Sequence, residues 1–583
     1  MYFLVYALIS ALLVTAILAA VRTQLPIEKW KISAMTGAAV GLIGWLVMPV
    51  FAWNFSENWL ILLFIGIVLV GPTFRKPFSS PRIAWTPIAI AAVVLLAVQP
   101  ITTSPIFHAD AYRELLGKVN TREFSSDMSP VSLDQIRRVD QLLARTLGEK
   151  RVEEIPGLGS RARLGKMNIQ SINGCFGIRE GNGRSQELCL ENKLMWAGPL
   201  VHESFLKYWA NETTPGYVLV SATDPTEVYF VTAIRSKSGT YEPVMLKYFS
   251  EGYLGSYVER HLRTAGDISS GFAEYAFEIN DEGRPYWVTA KYERKIGFGG
   301  ADANGVVFVD AQSGQINEST IDLAPTWIDR IQPVPIVTAQ LDNWGLYVKG
   351  WWNSVFARQD VIQTTPGMSL VYGGDGKSYW YAGMQSAGSE QASNSFVLVS
   401  TRTKEVRRYL ISGANESAAM GQAEAHPEAK KAGLWATVPI LYNVGGKPTY
   451  FITLKGSSGV AQLYTFVNMQ SYETVGLGRN VQEALRDYQN SIARQEHRLA
   501  PDGPVQRKRL EATVLAATKD GDFYFLLLTG QDGKEFYGSS SVSPELKWTK
   551  PGDTVVLEVD EGDLRSIPIG RFDNKALSIS FED

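Results

Sequence analysis

Apolar residues are concentrated in the first hundred positions of the chain, where they form four long runs. Tyr2–Val21 has no charged residue over twenty positions, which at 1.5 Å per residue spans a hydrocarbon core about 30 Å thick. The later runs are Ile32–Trp53, Trp59–Phe74 and Ile83–Ile101. This pattern predicts an α-helical membrane domain of about four transmembrane helices over residues 1–104.

Basic residues in the short loops between these runs set the expected orientation. The loop 22–31 contains three basic residues against one acid, and the loop 75–82 contains three basic residues and no acid. The loop 54–58 carries only Glu57. Because basic loops stay on the cytoplasmic side, we expect a multi-pass protein of the cell (inner) membrane. The lipid bilayer is then a partner, and the soluble region is extracytoplasmic.

Beyond residue 104 the pattern predicts a large α+β, strand-rich soluble region. Residues 105–165 form a juxtamembrane helical region, followed by short β-branched and aromatic runs that end at turn residues and predict strands. These runs divide into a β-rich region at 166–330 and a second region at 331–498. Five more predicted strands, separated by Gly-rich turns, predict a small β-barrel of OB or SH3 type over 505–583.

The two regions before the barrel share an internal repeat. Asn280–Lys291 and Asn443–Lys455 both read Asn-x-x-Gly-basic-Pro, followed by an aromatic strand that ends in Lys. A second strand and a polar turn follow in each copy, at Val306–Gly314 and Tyr464–Ser471. Asn and Gly favour a tight turn, and Pro is tolerated at the first residue of a strand. Each copy therefore predicts a hairpin, with a short helix before it.

A helix, a Gly-basic-Pro-aromatic strand and a strand ending in Val-Asp-x-x-x-Gly resemble the PepSY domain. Gly283–Tyr286 and Val309–Gly314 carry the resemblance, whereas the second copy has Asn468 for the Asp and Tyr472 for the turn Gly. The two copies cover about a quarter of the chain. The resemblance implies small α+β modules, typically extracytoplasmic, associated with peptidase regulation and envelope functions. It carries over no catalytic residues.

Cys175 and Cys189 are the two cysteines of the chain and lie fourteen residues apart. A hairpin between them brings the thiols within bonding distance, and an external compartment permits a disulfide. The alternative is two separate buried thiols. We predict the disulfide, and we expect no metal site because no His or further Cys lies at ligand spacing.

Familiar catalytic patterns are missing from the sequence. The five histidines form no His-Glu-x-x-His pair, and no Gly-x-Ser-x-Gly elbow occurs. Gly373–Ser378 resembles a phosphate-binding loop but lacks its first glycine, because position 371 is Val371. We therefore expect no catalytic residues and no cofactor. A net charge of −3 gives no basic surplus for nucleic-acid binding.

These features favour a non-enzymatic binding, regulatory or scaffold protein of the cell envelope, anchored in the membrane. Its partner is an envelope protein, a peptide or a wall polymer, and a homo-oligomer is compatible with the sequence. Two alternatives stay open. One is a membrane-bound hydrolase with a noncanonical carboxylate site. The other is a channel or transporter subunit, although the predicted spans hold almost no charged residues.

Overall fold

The chain divides into two compact units. One comprises the residues up to 463 together with 467–472, and the other comprises 464–466 and the residues from 473 onward. The computed structural model describes residues 38, 41–42, 44–61, 63, 89–131, 135–155, 157–179, 185–235, 240–373, 376–386, 392–499, 507–520, 523–531, 533–539, 542–560 and 566–577.

Helices are short in the described residues. They include α1 Gln99–Thr103, α2 Pro105–Glu114, α3 Phe124–Asp127, α4 Gln141–Glu153, α5 Phe205–Ala210, α6 Val258–Ala265, α7 Val334–Leu346, α8 Gly350–Trp352, α9 Glu416–Ala425, α10 Pro427–Ala432 and α11 Val481–Leu499, with π-helical turns at Val94–Val98 and Asn353–Ala357 and 3₁₀ turns at Leu254–Ser256, Ile321–Leu323 and Pro544–Trp548.

Strands dominate both units. They are β1 Val119–Thr121, β2 Ala162–Leu164, β3 Asn168–Arg179, β4 Ser185–His202, β5 Thr214–Pro215, β6 Tyr217–Ser221, β7 Val228–Arg235, β8 Tyr241–Pro243, β9 Met245–Leu246, β10 Gly271–Ile279, β11 Pro285–Ile296, β12 Gly299–Asp310, β13 Ile316–Thr320, β14 Ile362–Thr364, β15 Ser369–Tyr372, β16 Ser378–Ser386, β17 Ala392–Ser393, β18 Ser395–Ser400, β19 Val406–Tyr409, β20 Gly413–Ala414, β21 Trp435–Ala436, β22 Ile440–Val444, β23 Lys447–Lys455, β24 Ala461–Asn468, β25 Val475–Gly478, β26 Arg507–Asp520, β27 Phe523–Leu528, β28 Glu535–Ser539, β29 Thr554–Asp560 and β30 Ser566–Asn574.

The predicted N-terminal bundle of about four membrane helices is wrong. Among the residues that the structure describes, no single helix is long and apolar enough to cross a membrane. One pair of helices, Ala89–Thr103 and Pro105–Glu114, is long and apolar enough for a span only when the two are counted together. The axes of these two helices are bent by 53° at the break between them. The multi-pass inner-membrane location depended on this bundle and is wrong too. The extracytoplasmic placement of the soluble region, which was derived from that location, is wrong with it. The predicted span Tyr2–Val21 lies outside the described residues.

Local backbone geometry explains the correction where the structure describes these segments. Met48 has a φ of +48°, a left-handed conformation that a helix cannot contain. The chain beyond it turns into the folded unit, where the Phe51 amide donates to the Ile268 carbonyl at 2.6 Å. Phe55 is 2% exposed and packs on Tyr292. Just beyond the fourth predicted span, which ends at Ile101, the extended backbone at Ser104 separates α1 from α2.

In both sequence repeats an Asn side chain and a Gly of positive φ form the turn, although the hydrogen bonds of the two turns differ. In the first copy the Asn280 side-chain oxygen accepts from the amides of Glu282 and Arg284. In the second copy the Asn443 oxygen accepts from the Gly446 amide at 2.8 Å. Gly283 and Gly446 take φ values of +81° and +82°, which glycine adopts without steric penalty. Both hairpins therefore depend on the Asn and Gly positions that the sequence pattern singled out.

The polar turn that ends the second strand of each repeat occurs at two further places that the sequence did not reveal. In each of four turns, one side-chain oxygen accepts from the backbone amides two and three residues further on. The four accepting residues are Ser221, Asp310, Ser400 and Asn468. Serine, aspartate and asparagine oxygens all close this kind of turn. The repeat is therefore fourfold, with one strand–turn–strand unit in each of four successive sheets.

The first sheet lies between the second and the third. Its strand β6 is buried at every position, and alternate side chains point to opposite faces. Tyr217 and Leu219 join a core with Phe277 and Trp287 of the second sheet. From the other face, Val218 and Val220 join a core with Trp380 and Val397 of the third sheet. A continuous apolar strand is what a two-sided core requires.

The second unit contains a closed five-stranded barrel in the order β26-β27-β28-β30-β29. Its interior is filled by apolar side chains that include Val514, Phe536 and Leu557. Helix α11 of the same unit buries Tyr488 completely, against Phe466. Such a barrel is a frequent binding scaffold, but the fold alone does not identify a ligand.

Candidate functional site

A polar cleft of about 850 Å³ lies in the first unit and is lined by segments of the first, third and fourth sheets. We call it the turn cleft. Its walls come from the segments 128–131 and 135–138, from residues 191–194 of β4, from the turn 223–227, from residues 370–373 with Gly376, and from residues 440–443 of β22. The volume lies within the range of small-molecule and peptide sites. The cleft therefore brings together segments that are far apart in the sequence.

Arg137 lines the turn cleft and has no carboxylate partner among the described residues. Its backbone amide donates to the Tyr442 hydroxyl at 3.0 Å, and its Nη1 donates to the Leu370 carbonyl at 3.3 Å. Its buried Nε has no hydrogen-bond partner. Burial lowers the pKa of Arg137, yet a guanidinium stays protonated in proteins. An anion entering the cleft therefore meets an uncompensated positive charge.

The carboxylate that most affects Arg137 already has a partner. Asp140 raises the pKa of Arg137 by its charge, but its Oδ2 lies 2.7 Å from Nζ of Lys455, whose side chain is 1% exposed. Asp140 also caps helix α4, where its Oδ1 accepts from the Leu143 amide at 2.8 Å. A carboxylate committed to two partners leaves Arg137 incompletely neutralised.

The other charged groups of the turn cleft are largely paired. Lys193 contacts Glu227 at 2.5 Å across the first repeat. The Asp224 carboxylate accepts from the amide and hydroxyl of Thr226, which lowers the pKa of Asp224. The guanidinium of Arg138 donates to the Thr223 carbonyl at 2.5 Å. These contacts fix the rim, so Arg137 stands out as the group available to a ligand.

Two carboxylates lie beneath the wall of the turn cleft. Asp329 Oδ2 accepts from the Tyr372 hydroxyl at 3.1 Å and from the Ser171 amide at 3.2 Å, and both of those residues line the cleft. The Asp329 amide donates to Glu278 Oε2 at 3.1 Å. Burial raises the pKa of both carboxyl groups. Glu278 is fully buried, so a ligand in the cleft does not reach it.

The cations beside this pair do not neutralise it fully. Arg330 Nε is 3.7 Å from Glu278 Oε1, beyond hydrogen-bonding distance, and Glu278 Oε1 has no hydrogen-bond partner. Arg402 donates instead to the backbone carbonyls of Ala324 and Pro325. Desolvation therefore outweighs attraction for Glu278, which is the physical cause of its raised pKa.

The described lining of the turn cleft contains carboxylates but no imidazole. His202 Nε2 is 2.7 Å from the Asn211 carbonyl, and His261 Nε2 is 2.7 Å from the Gly314 carbonyl. Burial lowers the pKa of His202. Neither histidine lines the cleft, whereas Glu191, Asp224 and Glu227 do. Any proton transfer in the cleft would therefore depend on carboxylates rather than on histidine.

Cys175 and Cys189 lie opposite each other on β3 and β4 and form a disulfide. The bond lies away from the turn cleft lining. The loop-like segment Gly373–Ser378 is a hairpin turn, in which the Gly373 amide donates to the Lys377 carbonyl at 2.8 Å. That geometry connects two antiparallel strands and does not open a helix, as a phosphate-binding loop would.

Sequence reasoning missed the cleft and its central residue. Arg137 falls within the predicted juxtamembrane helical region 105–165, but it precedes α4 and contacts residues more than 200 positions away. Nothing local in the sequence distinguishes it from Arg145, which is exposed on α4 and pairs with Glu149.

Comparison with known proteins identifies no family. No protein-family model matches the chain, and no curated protein matches it either. Two solved structures of Synechocystis apocarotenoid oxygenase variants align at 10% sequence identity and a TM-score of 0.14. The alignments cover 55% and 53% of this chain, and 63% and 59% of the oxygenase chains. A likeness at that TM-score carries no argument about fold or function.

Proposed function

We propose that this chain is a non-enzymatic binding protein whose turn cleft takes an acidic peptide segment. The observation that carries the proposal is the guanidinium of Arg137, which lines a cleft of about 850 Å³ without a carboxylate partner among the described residues. A charge-assisted hydrogen bond to a partly desolvated guanidinium contributes about 1.5–3 kcal/mol. An acidic group on the ligand supplies that bond.

The cleft walls favour a peptide over a compact inorganic anion. Leu370, Tyr372, Ile440 and Tyr442 offer apolar and aromatic surface beside polar turn backbone. An extended peptide has alternating backbone donors and acceptors that match such turns. The resemblance of two repeats to PepSY modules, a family associated with peptidase regulation, agrees with peptide recognition.

The hydrolase alternative receives less support from the same region. The buried pair Asp329 and Glu278 gives it no catalytic site, because Glu278 is fully buried and accepts from the Asp329 amide. A carboxylate in that position cannot contact a substrate bond in the cleft.

Fluorescence anisotropy with three labelled hexapeptides tests the proposal. The peptides alternate Ala with Glu, Gln or Lys, so that they differ in charge and little in length. We expect the Glu peptide to bind most tightly and its affinity to fall with added salt, because salt screens charge pairs.

Arg137→Met is the decisive variant, with Arg145→Met as the matched control. Loss of the guanidinium should weaken binding of the Glu peptide at least about tenfold, since about 1.4 kcal/mol corresponds to a factor of ten. Arg145 is exposed on α4, so its replacement removes the same charge without changing the cleft. Equal affinity of the three peptides, or unchanged binding by Arg137→Met with an unchanged melting temperature, would refute the proposal.

A further inference from the structure

Cys175, Cys189 and Glu187 lie together on one face of the β3–β4 hairpin. The register pairs Cys175 with Cys189 and Gly177 with Glu187. Because side chains alternate between faces of a strand, the two cysteines and Glu187 share one face. The two Sγ atoms and a carboxylate oxygen of Glu187 all lie within 4.8 Å of one another.

This face is accessible. Cys189 and Glu187 are exposed and Cys175 is half-buried. On the opposite face, Phe176, Ile178 and Leu190 are buried in the core between the first and second sheets. Backbone pairing between β3 and β4 extends on both sides of the disulfide, from Asn168–Ala197 to Arg179–Ser185. The hairpin therefore holds the three side chains in place whether or not the sulfur atoms are bonded.

We propose that, once the disulfide is reduced, Cys175, Cys189 and Glu187 bind a thiophilic divalent cation of the Zn²⁺ class. Two thiolates and one carboxylate are three ligands of a tetrahedral zinc site, and water supplies the fourth. Zn–S bonds of about 2.3 Å place two thiolates roughly 3.8 Å apart in such a site. That separation needs only side-chain rotation by residues that already face each other.

The step balances with a dithiol as the reductant. The dithiol attacks the disulfide and becomes a cyclic disulfide, while Cys175 and Cys189 become thiols by taking up its two electrons and two protons. Binding of the cation then releases the two thiol protons, because the ligands are thiolates. An added disulfide reverses the sequence: it takes two electrons from the thiolates and two protons from water and becomes a dithiol, while Cys175 and Cys189 re-form their bond and the cation is released. The hairpin is thus a cation site controlled by the redox state, and this inference is independent of the turn cleft.

Cobalt(II) titration of the full chain tests the proposal. The protein is reduced, freed of reductant without air, and titrated with Co²⁺, whose visible bands report tetrahedral geometry and whose near-ultraviolet band reports sulfur ligation. We expect one Co²⁺ per reduced chain, displaced by Zn²⁺, and no such bands from the oxidised chain. A thiol assay should count two reactive thiols after reduction and fewer once Zn²⁺ is present.

Ligand variants decide which atoms bind. Cys175→Ser should abolish the sulfur band. Glu187→Gln should weaken binding by at least about 10- to 100-fold, the loss seen when even an indirect partner of a metal is removed. Glu149→Gln, an exposed glutamate on α4, should have no effect. Absence of the sulfur band in the reduced chain, its survival in Cys175→Ser, or unchanged affinity in Glu187→Gln with native near-ultraviolet circular dichroism would overturn the assignment.

Discussion

The buried carboxyl group of Glu278 makes the stability of the first unit depend on pH. Its side chain is fully buried, and Oε1 has no hydrogen-bond partner. Burial raises its pKa above the ordinary value of 4.5. Asp329, which is next to it, is raised in the same direction by burial. The facing groups are Arg330, Arg402 and Tyr372, and their attraction does not offset the loss of hydration.

The sign of the effect follows from proton counts. Between pH 4.5 and the raised pKa of the folded state, the folded chain keeps a proton on Glu278 that the unfolded chain has released. Stability is therefore greatest at low pH and falls as pH rises through the raised folded pKa, by up to about 1.4 kcal/mol per pH unit for each such group. Asp329 adds a slope of the same sign. Glu278→Gln cannot ionise and still accepts a hydrogen bond from the Asp329 amide.

Urea denaturation from about pH 5 to about pH 8 measures this slope. Tryptophan fluorescence reports mainly on the first unit, since Trp548 is the one tryptophan beyond residue 472. Glu278→Gln should flatten the loss of stability by up to about 1.4 kcal/mol per pH unit and leave the variant more stable than the native chain at the alkaline end. The control Glu149→Gln should keep the native slope. Parallel curves for Glu278→Gln and the native chain would refute the reasoning.

Two further predictions concern the repeats. Gly446→Ala should lower the free energy of unfolding by about 1 kcal/mol, because φ is +82° there and the added Cβ meets no atom within 4 Å. Gly283→Ala should lower it more, since the added Cβ would lie 2.9 Å from Phe176 Cε1. Equal shifts of the two variants in thermal denaturation would contradict this. The buried hydroxyls of Tyr381 and Tyr450 are 2.8 Å apart, so a double-mutant cycle of Tyr→Phe changes should give a coupling of about 1 kcal/mol, and strictly additive changes would show that they do not interact.

Local turn chemistry was readable from the sequence, but its full extent was not. Asn280 and Asn443 predicted the two hairpins because Asn-x-x-Gly has a defined conformational preference. A second turn follows the next strand, and Asp310 and Asn468 close it in these two repeats. The first and third sheets close it with Ser221 and Ser400 instead, and serine is too common for its position to signal a repeat. The equivalence therefore becomes visible only through hydrogen bonds.

The hydropathy pattern gave wrong predictions where tertiary contacts determine the backbone conformation. An apolar run reads as a spanning helix whatever its residues contact, so the hydrogen bond from Phe51 to Ile268 was invisible. The same limit applies to the bounds of α4, which the predicted helical region 105–165 left open. Asp140 caps its start, and Gly148 lies inside it, where a Cβ would approach Leu164 to 2.7 Å. Long-range packing therefore determines where α4 begins and why position 148 inside it is a glycine.

The turn cleft itself depends on contacts of the longest range. Arg137 reaches Leu370 and Tyr442, which are 233 and 305 positions away. No periodicity or short motif encodes such proximity, so an isolated arginine beside a helix reads as a surface residue. A binding residue such as Arg137 is therefore identified by the arrangement of the sheets rather than by a local sequence pattern.

Hydrogen exchange with and without the Glu hexapeptide tests the central claim most directly. The account predicts slower exchange in the segments 135–138, 191–194, 223–227 and 440–443, which line the turn cleft. The Lys hexapeptide should leave these amides unchanged, and Arg137→Met should remove the protection. Protection elsewhere on the chain, or none at a saturating concentration of the Glu peptide, would contradict the account.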